Sequence, residues 1–154
     1  MKYKQKTLTC LDYRTAKEIF LDVFDNSEYS DFTSAWRHRD KEESLGIYTH
    51  YNELVGFALV DYQRKLNFIA ISPDHQKYKL GTQLLQSILR NCIAKSKSLF
   101  LVPVPSNHVI AWYKKNGFYE TNIYITCVGT RWMTLGFHTY HTRRQSPYLL
   151  ALSR

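Results

Sequence analysis

No stretch of this 154-residue chain approaches the roughly 18 consecutive apolar residues that a membrane-spanning helix needs. The first twenty residues are charged and hold no apolar run ahead of a small-residue cleavage site, so a signal peptide is not expected. Cysteine is scarce: Cys10, Cys92 and Cys127 form an odd, unpatterned set. That excludes a disulfide framework and points to reduced thiols in a cytosol-like compartment. Repeats, low-complexity tracts and Pro/Gly-rich linkers are absent, which favours one domain over residues 1–154. His138 and His141 have no Cys or carboxylate neighbours at ligand spacing, so no metal site is expected.

What the chain does have is positive charge, 21 Lys+Arg against 13 Asp+Glu for a net +8. Such a balance suits polyanionic partners, either nucleic acid or a phosphate-rich cofactor. The charge is uneven. Glu18, Asp22, Asp25, Glu28 and Asp31 fall between residues 18 and 36 with no Lys or Arg among them, so this segment carries −5 and the rest +13. It is either a pair of solvated helix faces or an acidic surface able to attract an amine.

The order of elements follows from periodicity and turn chemistry. Residues 2–8 read as a strand. Thr15 and Glu18 have the form of a capping box before a helix running to about Phe24. Ser30 is a candidate cap for a second helix through about Arg39. Strands are expected at residues 45–51, 54–62 and 66–71, a helix at 81–94, a strand at 99–104 and a helix at 109–115 that stops at Asn116-Gly117. Two strands at 118–128 and 132–138 follow, then a tail at 139–154 that is basic and turns apolar after Pro147. This order implies an α/β (α+β layered) domain.

Chemistry concentrates where the strand at 66–71 runs through Ser72-Pro73-Asp74-His75-Gln76-Lys77-Tyr78-Lys79-Leu80-Gly81-Thr82 into an amphipathic helix. The first amides of a helix lack internal partners and lie at the positive end of its dipole. They can accept a pyrophosphate, or simply begin an ordinary helix. Gly81 has no Cβ to keep a ligand off the backbone, Thr82 offers a hydroxyl, and Lys77 and Lys79 add charge.

Gln76-Lys-Tyr-Lys79-Leu-Gly81 resembles the cofactor signature of the GNAT superfamily of acetyl-CoA-dependent N-acetyltransferases, which reads Arg or Gln, two residues, Gly, one residue, Gly or Ala. Lys79 stands where the pattern has its middle Gly. Ile71-Ser-Pro73 resembles the Val-x-Pro at the end of the family's fourth strand. A second block, Pro105-Ser106-Asn107 through Ala111, Tyr113, Gly117 and Phe118, resembles the family's Asn-helix-Tyr-Gly-Phe motif. Either Ser106 or Asn107 takes the Asn position.

The resemblance implies a mixed, mostly antiparallel central sheet of about seven strands, with helices on both faces and a splay between the fourth and fifth strands. It implies that acetyl-CoA, as co-substrate, is held by backbone of Ile69, Ala70 and Ile71, by residues 76–82 with Tyr78 and Leu80 among them, and by Ser106 or Asn107. Tyr113 would be the proton donor to the leaving thiolate. Histone-type relatives carry a Glu at the position of Lys65, so the general base is open, with His50, Asp61 or a water chain as candidates. The acceptor is expected to be a primary amine, with polyamines matching the acidic segment best. An inactive GNAT fold used for interaction and a basic nucleic-acid-binding module are the competing readings. A monomer and a homodimer are both compatible.

Overall fold

A computed structural model describes residues 2–127 and 129–138; of Cys127 it describes the backbone alone. The tail at 139–154, with His141, for which no metal role is expected, lies outside the described residues.

The described residues group into two compact units, one up to Ile88 and one from Leu89 on. In the first, β1 (Tyr3–Thr7), β2 (Leu45–Thr49), β3 (Leu54–Val60) and β4 (Leu66–Ile71) make an antiparallel sheet in the order β1-β2-β3-β4. Every residue of β2 and β3 is buried, which matches their mainly apolar sequences, while β1 carries exposed lysines as an edge strand should. Helices α1 (Tyr13–Val23) and α2 (Tyr29–Arg37) bury Phe20, Phe32 and Trp36 in a core shared with Phe57 and Ala70. Phe20 stacks on Phe32 with ring centroids 4.6 Å apart and meets Phe68 of β4 edge-on at 5.5 Å. Aromatic pairs of this kind add roughly 0.5–1.5 kcal/mol each beyond area burial.

Two expected helix starts are corrected. Thr15 lies inside α1, and the reciprocal cap sits six residues earlier: Thr9 N donates to Asp12 Oδ2 at 2.8 Å, opening a 3-10 turn at Cys10–Asp12. For α2 the capping side chain is Asp25, which accepts from Ser27 N at 3.0 Å and starts a 3-10 turn at Asn26–Glu28, so Ser30 is already helical. In each case an Asp carboxylate accepts a backbone N–H two or three residues away, Asp12 from Thr9 and Asp25 from Ser27.

The second unit contains the end of α3 (Leu80–Lys95), then β5 (Leu99–Leu101), α4 (Asn107–Lys115), β6 (Tyr119–Cys127) and β7 (Thr130–Phe137). Its three strands are antiparallel in the order β5-β7-β6. β5 stops three residues short of expectation because Pro103 and Pro105 follow it, and proline has no N–H for a ladder. Among the described residues, seven strands form two all-antiparallel sheets, with the break between β4 and β5.

Candidate functional site

β4 is the last strand of its sheet, so half of its backbone groups face away from β3. Ser72 N donates to Val55 O at 2.8 Å, and the pairs Gly56–Ile71, Phe57–Ala70 and Ala58–Ile69 continue that register. In an antiparallel ladder hydrogen-bonded and open positions alternate. Ala70 and Ser72 thus bond toward β3, while the N–H and C=O of Ile69 and Ile71 point off the edge. Of the three residues expected to offer amides, Ile69 and Ile71 can, and Ala70 cannot.

The turn after β4 folds back on that edge. Gln76 Nε2 donates to Ile71 O at 3.0 Å, so the Gln of the signature is a brace between turn and strand. His75 N donates to Ser72 O at 2.9 Å within the 3-10 turn Pro73–Tyr78. Lys79 then takes φ +56°, ψ +30°, the left-handed region. This is the conformation a glycine adopts freely and a lysine adopts at about 1–2 kcal/mol. The Lys-for-Gly departure in the signature therefore leaves the turn's shape intact. Lys79 O accepts from Gln83 N at 3.2 Å, and the Leu80 and Gly81 amides are in the first turn of α3, where no internal partner exists. Gln76, Lys77, Tyr78 and Lys79 are exposed, Gly81 and Thr82 half-buried, and Leu80 is core. A Cβ built on Gly81 would find Ile71 Cγ1 at 3.7 Å as its one neighbour within 4 Å, so the protein itself leaves this space open.

In the second unit, Ser106 is the N-cap of α4: its Oγ accepts from Val109 N at 3.4 Å and its carbonyl from Ile110 N at 2.9 Å. Asn107 is the exposed first residue of the helix. Tyr113 is 8% exposed, its ring flanked by Trp112 at 4.8 Å and Phe118 at 5.4 Å. Burial pushes its phenol well above the ordinary value, which keeps the group protonated through the physiological range. The Gly-Phe end of the motif is a Schellman stop. Gly117 N donates to Lys114 O at 3.0 Å, Phe118 N donates to Tyr113 O at 3.1 Å, and Gly117 sits at φ +100°.

The candidate bases fare differently. Asp61 accepts from Gln63 N at 2.9 Å, Lys65 N at 3.1 Å and Asn67 Nδ2 at 3.1 Å, so its carboxylate is committed to the β3–β4 turn. His50 is exposed on the β2–β3 turn with its ring against Tyr51. Two residues that bear on the turn had no local sequence signal: Tyr3, whose hydroxyl is 2.8 Å from His75 Nδ1, and His75 itself. The pair Tyr13–Tyr29, with hydroxyls 3.3 Å apart, was equally silent. Their shared hydrogen bond raises the Tyr13 phenol and lowers that of Tyr29.

Known structures agree with this architecture. The ribosomal-protein-S18-alanine N-acetyltransferase of Escherichia coli superposes with a TM-score of 0.69 at 22% identity, over 90% of this chain and 94% of that one. Ard1 of Thermoplasma volcanium gives 0.66 at 17% identity, over 90% and 98%. The PaiA N-acetyltransferase of Thermoplasma acidophilum, solved in complex with coenzyme A, gives 0.65 at 17% identity, over 90% and 99%. No curated protein matches the sequence. The family model described as an acetyltransferase (GNAT) domain matches residues 10–134, a span holding both motifs, and the chain belongs to the GNAT family of acetyl-CoA-dependent N-acetyltransferases.

Proposed function

We propose that this chain is one catalytic domain that acetylates a primary amine, either of a cationic small molecule such as a polyamine or of a peptide, with residues 69–82 holding the acetyl donor. The observation that carries the donor site is the β4 edge, whose outward amides at Ile69 and Ile71 lead directly into a turn with an open Gly81 and a left-handed Lys79. Edge amides spaced two residues apart suit an extended amide-containing arm, as in strand addition. The Leu80 and Gly81 amides suit a diphosphate, with Lys77 and Lys79 supplying charge. Bound there, the donor supplies an activated thioester carbonyl.

Two requirements remain for the protein's own residues. A departing thiolate needs a donor, and Tyr113 is the candidate, supported by its place in the second motif and by a phenol that stays protonated. With a thiol near ~8.5 and a phenol above ~10, Tyr113 serves as a hydrogen-bond donor, and full proton transfer to the thiolate is uphill. The acceptor must also be neutral to attack, and an alkylammonium near ~10 is not. Neither β4 (LNFIAI) nor β5 (LFL) carries a carboxylate. With Asp61 committed to its turn, on this reading the ammonium proton leaves to water or to a water chain ending at His50, and the rate should climb with pH.

The acidic segment supports a cationic acceptor. Arg14 neutralises Glu18 at 3.8 Å, which leaves Asp22, Asp25, Glu28 and Asp31 along α1, the turn and α2. Calorimetry with acetyl-CoA and dephospho-CoA tests the donor site, with binding and a preference for the 3′-phosphate expected. An amine panel read by free-thiol release tests the acceptor. Donor binding without any acetylation would replace this reading with an inactive fold, and Tyr113→Phe should lower kcat at least tenfold with donor affinity retained.

A further inference from the structure

The turn that starts α3 is gripped by the first strand of the chain. Tyr3 lies at the start of β1, and its hydroxyl is 2.8 Å from His75 Nδ1 across 72 residues of sequence. Its ring meets His75 edge-on at 5.8 Å and 88°, and Tyr78 at 5.9 Å. Tyr3 therefore touches both sides of the 3-10 turn, three residues apart, immediately before Lys79. From inside the turn Gln76 Nε2 ties to Ile71 O at 3.0 Å.

These contacts answer a question that Lys79 raises. A non-glycine residue in the left-handed region relaxes to another conformation unless its surroundings over-determine it. Lys79 is exposed and at φ +56°, so packing of its own side chain does not hold it. The geometry points to Tyr3 and His75 as positioning residues: they clasp the turn so that Lys79 stays left-handed and the Leu80 and Gly81 amides stay presented to the donor. This inference rests on the donor site proposed above. The clasp is unsuspected from the motif, because glycine at position 79 would make it dispensable.

The test uses Tyr3→Phe, which removes the hydroxyl and keeps the ring, alone and with Lys79→Gly. In the ligand-free protein, exchange of the turn's bonded amides, His75 N on Ser72 O and Gln83 N on Lys79 O, should accelerate about fivefold in Tyr3→Phe, the equivalent of one net hydrogen bond, with β3 amides unaffected. The dissociation constant for acetyl-CoA and its KM should rise by about the same factor while kcat stays near wild type. In the Lys79→Gly background the effect of Tyr3→Phe should shrink below about twofold, because glycine needs no clasp. Unchanged exchange at the turn would overturn the inference, and so would an equal effect in both backgrounds. If the wild-type protein fails to bind acetyl-CoA, the donor-site reading falls, and the exchange comparison still decides the clasp.

Discussion

Tyr113 and Phe118 are bound twice: the Phe118 amide donates to the Tyr113 carbonyl at 3.1 Å, and the two rings meet at 5.4 Å and 75°. Gly117, between them at φ +100°, makes both contacts possible. A Cβ there is strained whatever the surrounding space. Gly117→Ala should lower stability by about 1–2 kcal/mol, seen as a lower urea midpoint with an unchanged slope. An unaltered midpoint would mean that the stop tolerates an L residue.

Two buried phenols, Tyr113 and Tyr48, predict a loss of stability at alkaline pH. Tyr113 is raised by burial alone, and Tyr48 by burial and then by its bond to Asp12 Oδ2 at 2.8 Å. A phenol raised on folding stabilises the native state below its unfolded value near ~10 and loses that contribution as pH climbs toward the folded value. Above pH ~10, stability should fall by about 1.4 kcal/mol per pH unit for each such group. Urea titrations at successive alkaline pH values should show a shallower fall in Tyr113→Phe than in wild type. Equal slopes would contradict the assignment.

The strands and helices were legible because burial leaves a period. The apolar run of β3, the mainly apolar β2 and β4, and the helical spacing of Ala16, Ile19 and Phe20 need no partner information. Caps were misplaced because several Ser, Thr and Asp residues compete within six positions and only the folded backbone decides among them. Both motifs read correctly as turn and helix, but the pattern did not disclose what their residues do. Gln76 turned out to brace Ile71, and Gly117-Phe118 to close a helix. Tyr3 was invisible because its partner lies 72 residues away. Asp61, a candidate base by residue type, is a turn residue by hydrogen bonding.

The space around Gly81 gives a size-graded prediction. Its nearest neighbour to an added Cβ, Ile71 Cγ1, is at ordinary contact distance of 3.7 Å. Gly81→Ala and Gly81→Leu should both fold, the former with slightly higher stability because alanine favours the helix by up to about 1 kcal/mol. Donor affinity should fall at least tenfold in Gly81→Leu and far less in Gly81→Ala, by calorimetry. Equal affinity in wild type and Gly81→Leu would remove the donor from this turn.

Charge in the α1–α2 region offers a test of acceptor class. Asp22, Asp25 and Asp31 are exposed and Glu28 is half-buried, and no lysine or arginine occurs in the sequence between residues 18 and 36. Neutralising them together as Asp22→Asn, Asp25→Asn, Glu28→Gln and Asp31→Asn should lower kcat/KM for a polyamine about tenfold and leave a monoamine within about twofold. The difference should shrink at high salt. An equal loss for both acceptors would sink the cationic-acceptor reading. Asp25 also caps Ser27 N, so its single variant must be checked for stability first.

Asp61 separates structure from chemistry. Its carboxylate accepts two backbone amides and the Asn67 side chain, all within 3.1 Å, at the turn that aligns β3 with β4. Asp61→Ala leaves three donors without their acceptor, a loss of roughly 1–3 kcal/mol. If Asp61 were the base, the same change would also lower kcat by about a hundredfold or more and flatten the rise of rate with pH. The hydrogen bonding favours the first outcome: a lower thermal midpoint, with kcat and its pH profile near wild type when measured well below that midpoint. A hundredfold loss of kcat at full folding would return Asp61 to the reaction and discard solvent water as the proton acceptor.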